Sequence, residues 1–145
     1  MILKKIMEGK VAIITGGASG IGEAAAKILS ENSCKVALLD IDGPRLEMVM
    51  RDLEVFQEDC FGVCGDVTEE NTVINFFKEV VQKWGKLDVL VNSAGRDSLS
   101  PPVSEVTLEE WNRTIAVNLT GVFLCCREAF RIMEKQPTGG RIINL

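Results

Sequence analysis

Apolar residues follow two rhythms along this 145-residue chain. Short, mostly apolar segments occur at Val11 to Ile14, Lys35 to Asp40, Cys60 to Cys64, Leu87 to Val91 and, after Gly140, Arg141 to Leu145. Runs of this length, rich in β-branched residues, predict strands covered on both faces. Between them the apolar positions recur at steps of three and four. The sets are Ala24, Ala25, Ile28 and Leu29; then Leu46, Val49, Met50 and Leu53; then Val73, Ile74, Phe77, Val80, Val81 and Trp84. These spacings predict helices. A last helix is expected from Thr107 to about Lys135, with a stripe of Trp111, Ile115, Val122 and Cys126 turned to the core. Strand and helix alternate throughout, which predicts an α/β fold. Its sheet is parallel, with helices on both faces and right-handed crossovers.

The punctuation agrees. Gly43 and Pro44 mark a turn and a helix start, Thr68 is expected to cap the third helix, and Gly85 to stop it. Thr107 and Glu110 have the spacing of a capping box, and Pro137 ends the last helix. No repeat, low-complexity segment or linker interrupts the pattern, so residues 1–145 are expected to form a single domain.

Composition narrows the function. The net charge is −5 and no basic run occurs, which weighs against nucleic acid or an anionic membrane surface as partner. No apolar run is long enough to span a bilayer. Residues 1–8 are too short for a signal peptide, and the expected location is cytoplasmic. There are no histidines and five cysteines. Without His or a C-x-x-C pair no metal site is expected, and all five thiols are read as small buried hydrophobes.

Candidate chemistry gathers at the first strand–helix junction. There Gly16, Gly20 and Gly22 follow Thr15 with the spacing G-x-x-x-G-x-G. Glycines at a helix N-terminus leave backbone N–H donors and the positive end of the helix dipole facing one crevice, where a pyrophosphate fits. Asp40 ends the second strand about twenty residues on. It is either a surface acid or the acceptor for the two ribose hydroxyls of an adenosine, and in that role it would repel a 2′-phosphate. With no cation at Gly17, Ser19 or Ile41, NAD is expected over NADP. Asp66 could reach an adenine edge or serve as a turn residue. Asn118 falls inside the apolar stripe of the long helix. It is either a satisfied core amide that bends the helix, which the spacing favours, or a group holding a water or carbonyl beside a reaction centre.

Together these motifs resemble the short-chain dehydrogenase/reductase family. Thr15-Gly-Gly-Ala-Ser-Gly-Ile-Gly22 matches its glycine loop, Asp40 the acid of NAD-preferring members, and Asp66-Val67 the adenine pair. Asn92-Ser93-Ala94-Gly95 matches its N-N-A-G motif but for Ser93, and Val117-Asn-Leu-Thr-Gly121 matches the helix carrying a catalytic Asn. The resemblance implies a Rossmann-type doubly wound sheet in the order 3-2-1-4-5 and hydride exchange between a nicotinamide cofactor and an alcohol or carbonyl. It places Thr15, Gly16, Ser19, Gly20, Ile21, Gly22, Asp40, Ile41, Asp66, Val67, Asn92, Ala94 and Gly95 at the cofactor, and Asn118 in the catalytic role. It also implies homo-oligomers in complete relatives, with the long helix at the interface.

Two departures matter. Ser93 removes a side-chain amide near the cofactor. The Ser beyond the fifth strand and the Tyr-x-x-x-Lys pair of the family have no counterpart here, and the chain contains no tyrosine. The expectation is therefore an amino-terminal, cofactor-binding portion, truncated after the fifth strand and inactive alone. The alternative is a non-catalytic nucleotide-binding or interaction module. The fourth and fifth strands are expected to expose apolar surface, making the isolated chain poorly soluble or self-associating.

Overall fold

A computed structural model of the chain describes residues 6–56, 59–96 and 101–145. Residues 1–5 of the expected lead-in and 97–100 of the loop after the fourth strand lie outside these. The elements run β1 (Val11–Thr15), α1 (Gly20–Glu31), β2 (Lys35–Asp40), α2 (Gly43–Glu54), β3 (Cys60–Cys64), α3 (Glu70–Trp84), β4 (Val89–Asn92), α4 (Leu108–Ile115), a π-helical turn (Ala116–Gly121), α5 (Val122–Met133) and β5 (Arg141–Asn144). All strand pairs are parallel, in the order β3-β2-β1-β4-β5.

Side-chain alternation along the central strand divides the core. Val11 and Ile13 face one way, with Ala37 and Leu39 of β2, and pack on Val73, Phe76, Phe77 and Val80 of α3 and on Leu124, Cys125, Ala129 and Met133 of α5. Ala12 and Ile14 face the other way, with Val36 and Leu38, and pack on Ala26 of α1 and on Leu46, Val49 and Leu53 of α2. Two-sided cover is why these strands lack a polar face.

Opposite the carboxyl ends of the strands, Asp88 pins the start of β1 to the segment entering β4. Its Oδ2 accepts from the Val11 backbone N–H at 2.9 Å and sits 3.0 Å from Lys86 Nζ, while Oδ1 sits 3.1 Å from Lys10 Nζ. Burial pushes this carboxyl up. The hydrogen bonds from Lys86, Val11 N–H and Lys10, with the Lys86 charge, outweigh it and hold the group below the usual carboxylate range.

Several local expectations are corrected. Glu69, not Thr68, occupies the cap of α3, and it makes no side-chain cap bond. The Thr68 N–H instead donates to Asp66 Oδ1 at 2.8 Å, an Asx turn that delays the helix. On α3, Phe76 is buried and Ile74, Val81 and Trp84 are only half-buried. The expected long helix is one helical path interrupted by the π turn. The turn changes the hydrogen-bond step and rotates the downstream face; of the expected stripe, Ile115, Val122 and Cys126 are half-buried and Cys126 packs against the core. Trp111 is exposed, while Leu124, Cys125, Ala129 and Met133 are buried. Of the cysteines, Cys34 and Cys125 are buried, Cys60 and Cys126 half-buried, and Cys64 exposed on the outer strand β3. Burial, with the charge of nearby Asp88, pushes the Cys34 thiol up to about 12. Burial, with the charges of Cys126 and Glu128, does the same to Cys125, to about 12. Both stay protonated.

β4 is covered, with Leu90 and Val91 buried. The expected apolar exposure is confined to Ile143 and Leu145 at the β5 edge, and is joined by an outward ridge of Leu108, Trp111, Leu119, Phe123 and Phe130. No helix among the described residues is long and apolar enough to cross a membrane.

Candidate nucleotide-binding site

The site is built where β1, β2, β3 and β4 deliver their carboxyl ends side by side, next to the point where the strand order reverses around β1. Connections from β1 and β4 leave in opposite directions there and open a crevice.

The glycine turn has its shape for three separate reasons. Gly16 has φ +66° and lies so close to the next loop that a Cβ would stand 2.7 Å from the Ala94 backbone. A Cβ on Gly22 would stand 2.1 Å from the Gly16 carbonyl oxygen and 3.1 Å from Ser93 Oγ. These two glycines fold the turn onto itself. Gly20 differs: it has φ +54° with open space above its Cα. Gly20 thus begins α1 with a backbone that a ligand can reach without meeting a side chain. Ser19 occupies the cap with extended backbone and no side-chain cap bond. Gly20 and Ile21 are exposed beside it. Among the described residues this helix start combines outward N–H groups, dipole and access.

Thr15 ties the turn to β4. It is buried, and its Oγ1 accepts from the Ala94 N–H at 3.2 Å. Asp40 ties it to β2: Oδ2 accepts from Ala18 N–H and Oδ1 from Asp42 N–H, both at 2.9 Å. Ile41 is exposed just beyond. The Asp66 turn follows β3, and Val67 packs on the end of the π turn, where a Cβ on Gly121 would be 2.8 Å from Val67 Cγ2. Asn92 is buried, and its Nδ2 donates to Asn144 Oδ1 on β5 at 2.8 Å. It therefore joins two strands from beneath the crevice. Gly95 lies next to Asn118, with a built Cβ 3.8 Å from Asn118 Oδ1.

Asn118 is not the core amide that the spacing favoured. It is exposed, on the π turn. Both halves of its amide are nonetheless used: Oδ1 accepts from the Arg96 N–H at 2.8 Å, and Nδ2 donates to the Arg96 carbonyl at 3.0 Å. The extra residue of the π turn turns this side chain toward the loop after β4. Arg96 adds a second clasp through Glu110 of α4, Nη2 to Oε2 at 3.1 Å.

The structure thus gathers Thr15, Gly16, Ser19, Gly20, Ile21, Gly22, Asp40, Ile41, Asp66, Val67, Asn92, Ala94 and Gly95 at one end of the sheet, with Asn118 at its β4 side. Three residues joined to them have no local signal in the sequence. Arg45 donates from Nε to the Ala18 carbonyl at 2.6 Å and pairs with Glu23 at 2.9 Å. Asn144 meets Asn92 across 52 positions. Among the described residues no three His, Cys, Asp or Glu side chains gather as a metal site would require.

Comparison with known proteins gives a consistent result. The sequence profile of short chain dehydrogenases matches residues 10–145. An uncharacterized oxidoreductase of Thermotoga maritima is 42% identical over 143 residues, covering 97% of this chain and 54% of that protein. Secoisolariciresinol dehydrogenase of Forsythia intermedia is 39% identical over 137 residues, covering 94% and 49%. The crystal structure of NAD+-bound xylitol dehydrogenase superposes with a TM-score of 0.91 at 33% identity, covering 96% of this chain and 53% of that one. The chain spans about half the length of the relatives it matches.

Proposed function

The chain belongs to the short-chain dehydrogenase family, and from that membership we propose that residues 10–145 bind a nicotinamide dinucleotide, with NAD preferred, for an oxidoreductase acting on an alcohol or carbonyl. The observation that carries the reading is Gly20. A left-handed, side-chain-free position opens α1 at the sheet's switch point, and a ribose-accepting carboxylate ends the adjacent strand.

The residues present fit the group. In this reading the N–H donors of Gly20 to Gly22 hold the diphosphate. Asp40, already fixed by Ala18 and Asp42, keeps lone pairs on both oxygens for the ribose hydroxyls and disfavours a 2′-phosphate by like charge. Asp66 and Val67 border the adenine, and Ile21, Asn92, Ala94 and Gly95 the nicotinamide half. When bound, the nicotinamide supplies or accepts the hydride. Asn118 acts by holding the Arg96 backbone, and with it the loop beside the reacting ring. Proton transfer to the substrate oxygen needs a further acid–base group, and Asn118 does not supply one. This chain by itself is therefore expected to bind and not to turn over. The exposed ridge on α4 and α5 is proposed as a surface for self-association, and the expected location is the cytoplasm.

The test is equilibrium binding of NADH and NADPH. Tighter binding of NADH is expected, and Asp40→Ala should narrow the difference by roughly tenfold, the scale of one charge-assisted interaction. Tighter NADPH binding by the unmodified protein would overturn the NAD assignment.

A further inference from the structure

The ribose side of the crevice contains a cation as well as the acid. Ala18 is gripped at both its polar atoms: its N–H by Asp40 Oδ2 at 2.9 Å, and its carbonyl by Arg45 Nε at 2.6 Å. The Arg45 guanidinium therefore stands within one residue's length of the Asp40 carboxylate. Arg45 lies in the first turn of α2, where its own N–H is fixed by the capping Asp42 at 3.1 Å. Its Nη2 is drawn to Glu23 Oε2 in the first turn of α1, at 2.9 Å. Both partners are partly exposed, at 50% and 37% of the side chain, so the contact is exchangeable rather than locked in a core.

We propose that Glu23 and Arg45 form a second determinant of coenzyme choice, which rests on the nucleotide-binding reading above. Glu23 holds the guanidinium down on the glycine turn and cancels its charge, so that it does not accept a 2′-phosphate at the ribose. Charge and geometry argue together. Glu23 pairs with the guanidinium, Asp42 accepts from the Arg45 backbone N–H, and Asp40 holds the N–H of Ala18, the residue whose carbonyl Arg45 grips, so three carboxylates share this rim and it repels a dianionic phosphate. Guanidinium is the side chain best shaped to receive such a phosphate in two parallel hydrogen bonds. Removing Glu23 frees Nη2 and lowers the negative field in one step. Selectivity here combines an attractive element, Asp40 toward hydroxyls, with a withheld one, Arg45.

The experiment measures dissociation constants of NADH and NADPH on the purified protein, on Glu23→Gln, on Arg45→Gln and on the double variant. Glu23→Gln is expected to tighten NADPH about tenfold relative to NADH, the scale of one charge-assisted hydrogen bond. The double variant should lose that gain, because the gain belongs to the guanidinium. Higher salt should erode the NADPH gain more than NADH binding. If Glu23→Gln does not fold, Glu23→Ala tests the same contact. An NADPH-to-NADH ratio unchanged in Glu23→Gln, with NADH still bound, would overturn this inference alone. A gain that survives in the double variant would also overturn it, by assigning the effect to net charge. Failure of the unmodified protein to bind either nucleotide would overturn the nucleotide-binding reading and this inference with it.

Discussion

The half of the sheet formed by β1, β2 and β3 and the half formed by β4 and β5 use the same strand–helix unit, yet they close differently. In the first half α1 and α2 cover one face and α3 the other, and β1 and β2 keep every apolar residue buried. In the second half the helical segment from Leu108 to Met133 covers one face only through its α5 part, and α4 buries no residue at all. The π turn between them aims Asn118 at Arg96 and leaves a row of large apolar side chains facing outward. The first half is built to hold its own shape. The second half gives up local regularity to place one amide beside the crevice, a cost that π turns carry at functional positions.

The sharpest way to break this contrast is to compare adjacent residues on α5. Leu124 is 6% exposed and Phe123 is 56% exposed. Leu124→Ala should cost about 2–5 kcal/mol of stability in denaturant unfolding. Phe123→Glu should cost little, about 1 kcal/mol including its stacking with Arg127, and should lower self-association in sedimentation experiments. Equal losses from the two would erase the distinction between covered and uncovered faces.

Next in size is Gly22→Ala. Its Cβ would meet the Gly16 carbonyl oxygen at 2.1 Å, and backbone cannot yield as a side-chain tip can. A loss near the upper end of overpacking costs, about 3 kcal/mol, is expected, and thermal unfolding reads it.

The Asp88 staple sharpens the comparison from the opposite end of the sheet, since it joins β1 to the start of β4 across the two halves. Asp88→Asn should cost about 1–3 kcal/mol near neutral pH, as charged hydrogen bonds do. The folded carboxyl lies below its unfolded value. Its contribution is therefore complete above the unfolded value of about 3.9 and disappears as pH falls through the folded one. Unfolding curves of the protein and the variant should converge in that acid range and stay apart above it.

The smallest effect concerns Ser33, in the turn joining α1 to β2. It has φ +64°, a left-handed position that a Cβ disfavours. Ser33→Gly should stabilise by up to about 1 kcal/mol. A loss of stability would mean that the first half is strained for a reason beyond backbone conformation.

What the sequence revealed and what it hid follow the same division. β2 and β3 were legible to the residue because each is an apolar run closed by Gly or Asp, and the Thr107 cap was legible because it accepts from Glu110 only three positions away. The glycine turn was legible as a strand-to-helix junction for the same local reason. Its internal logic was not. That Gly16 and Gly22 serve packing while Gly20 serves access depends on Ala94 and Ser93, more than 70 positions away. The π turn escaped because it breaks the very periodicity used to find it. Arg45 escaped because its partners, Ala18 and Glu23, precede it by 27 and 22 positions. The absence of a cation at Gly17, Ser19 and Ile41 was a true reading of the wrong neighbours.

If the backbone around Gly20 grips a dinucleotide diphosphate, amide-resolved NMR during an NADH titration will detect it at its N–H groups. Saturable shifts are expected, concentrated at the N–H groups of Gly20, Ile21 and Gly22 and extending to Ala18 and Asp40. Amides that stay unmoved to millimolar NADH would contradict it. So would shifts centred elsewhere, for example in the groove of roughly 310 Å³ between α1 and α2 lined by Lys27, Asp52 and Phe56.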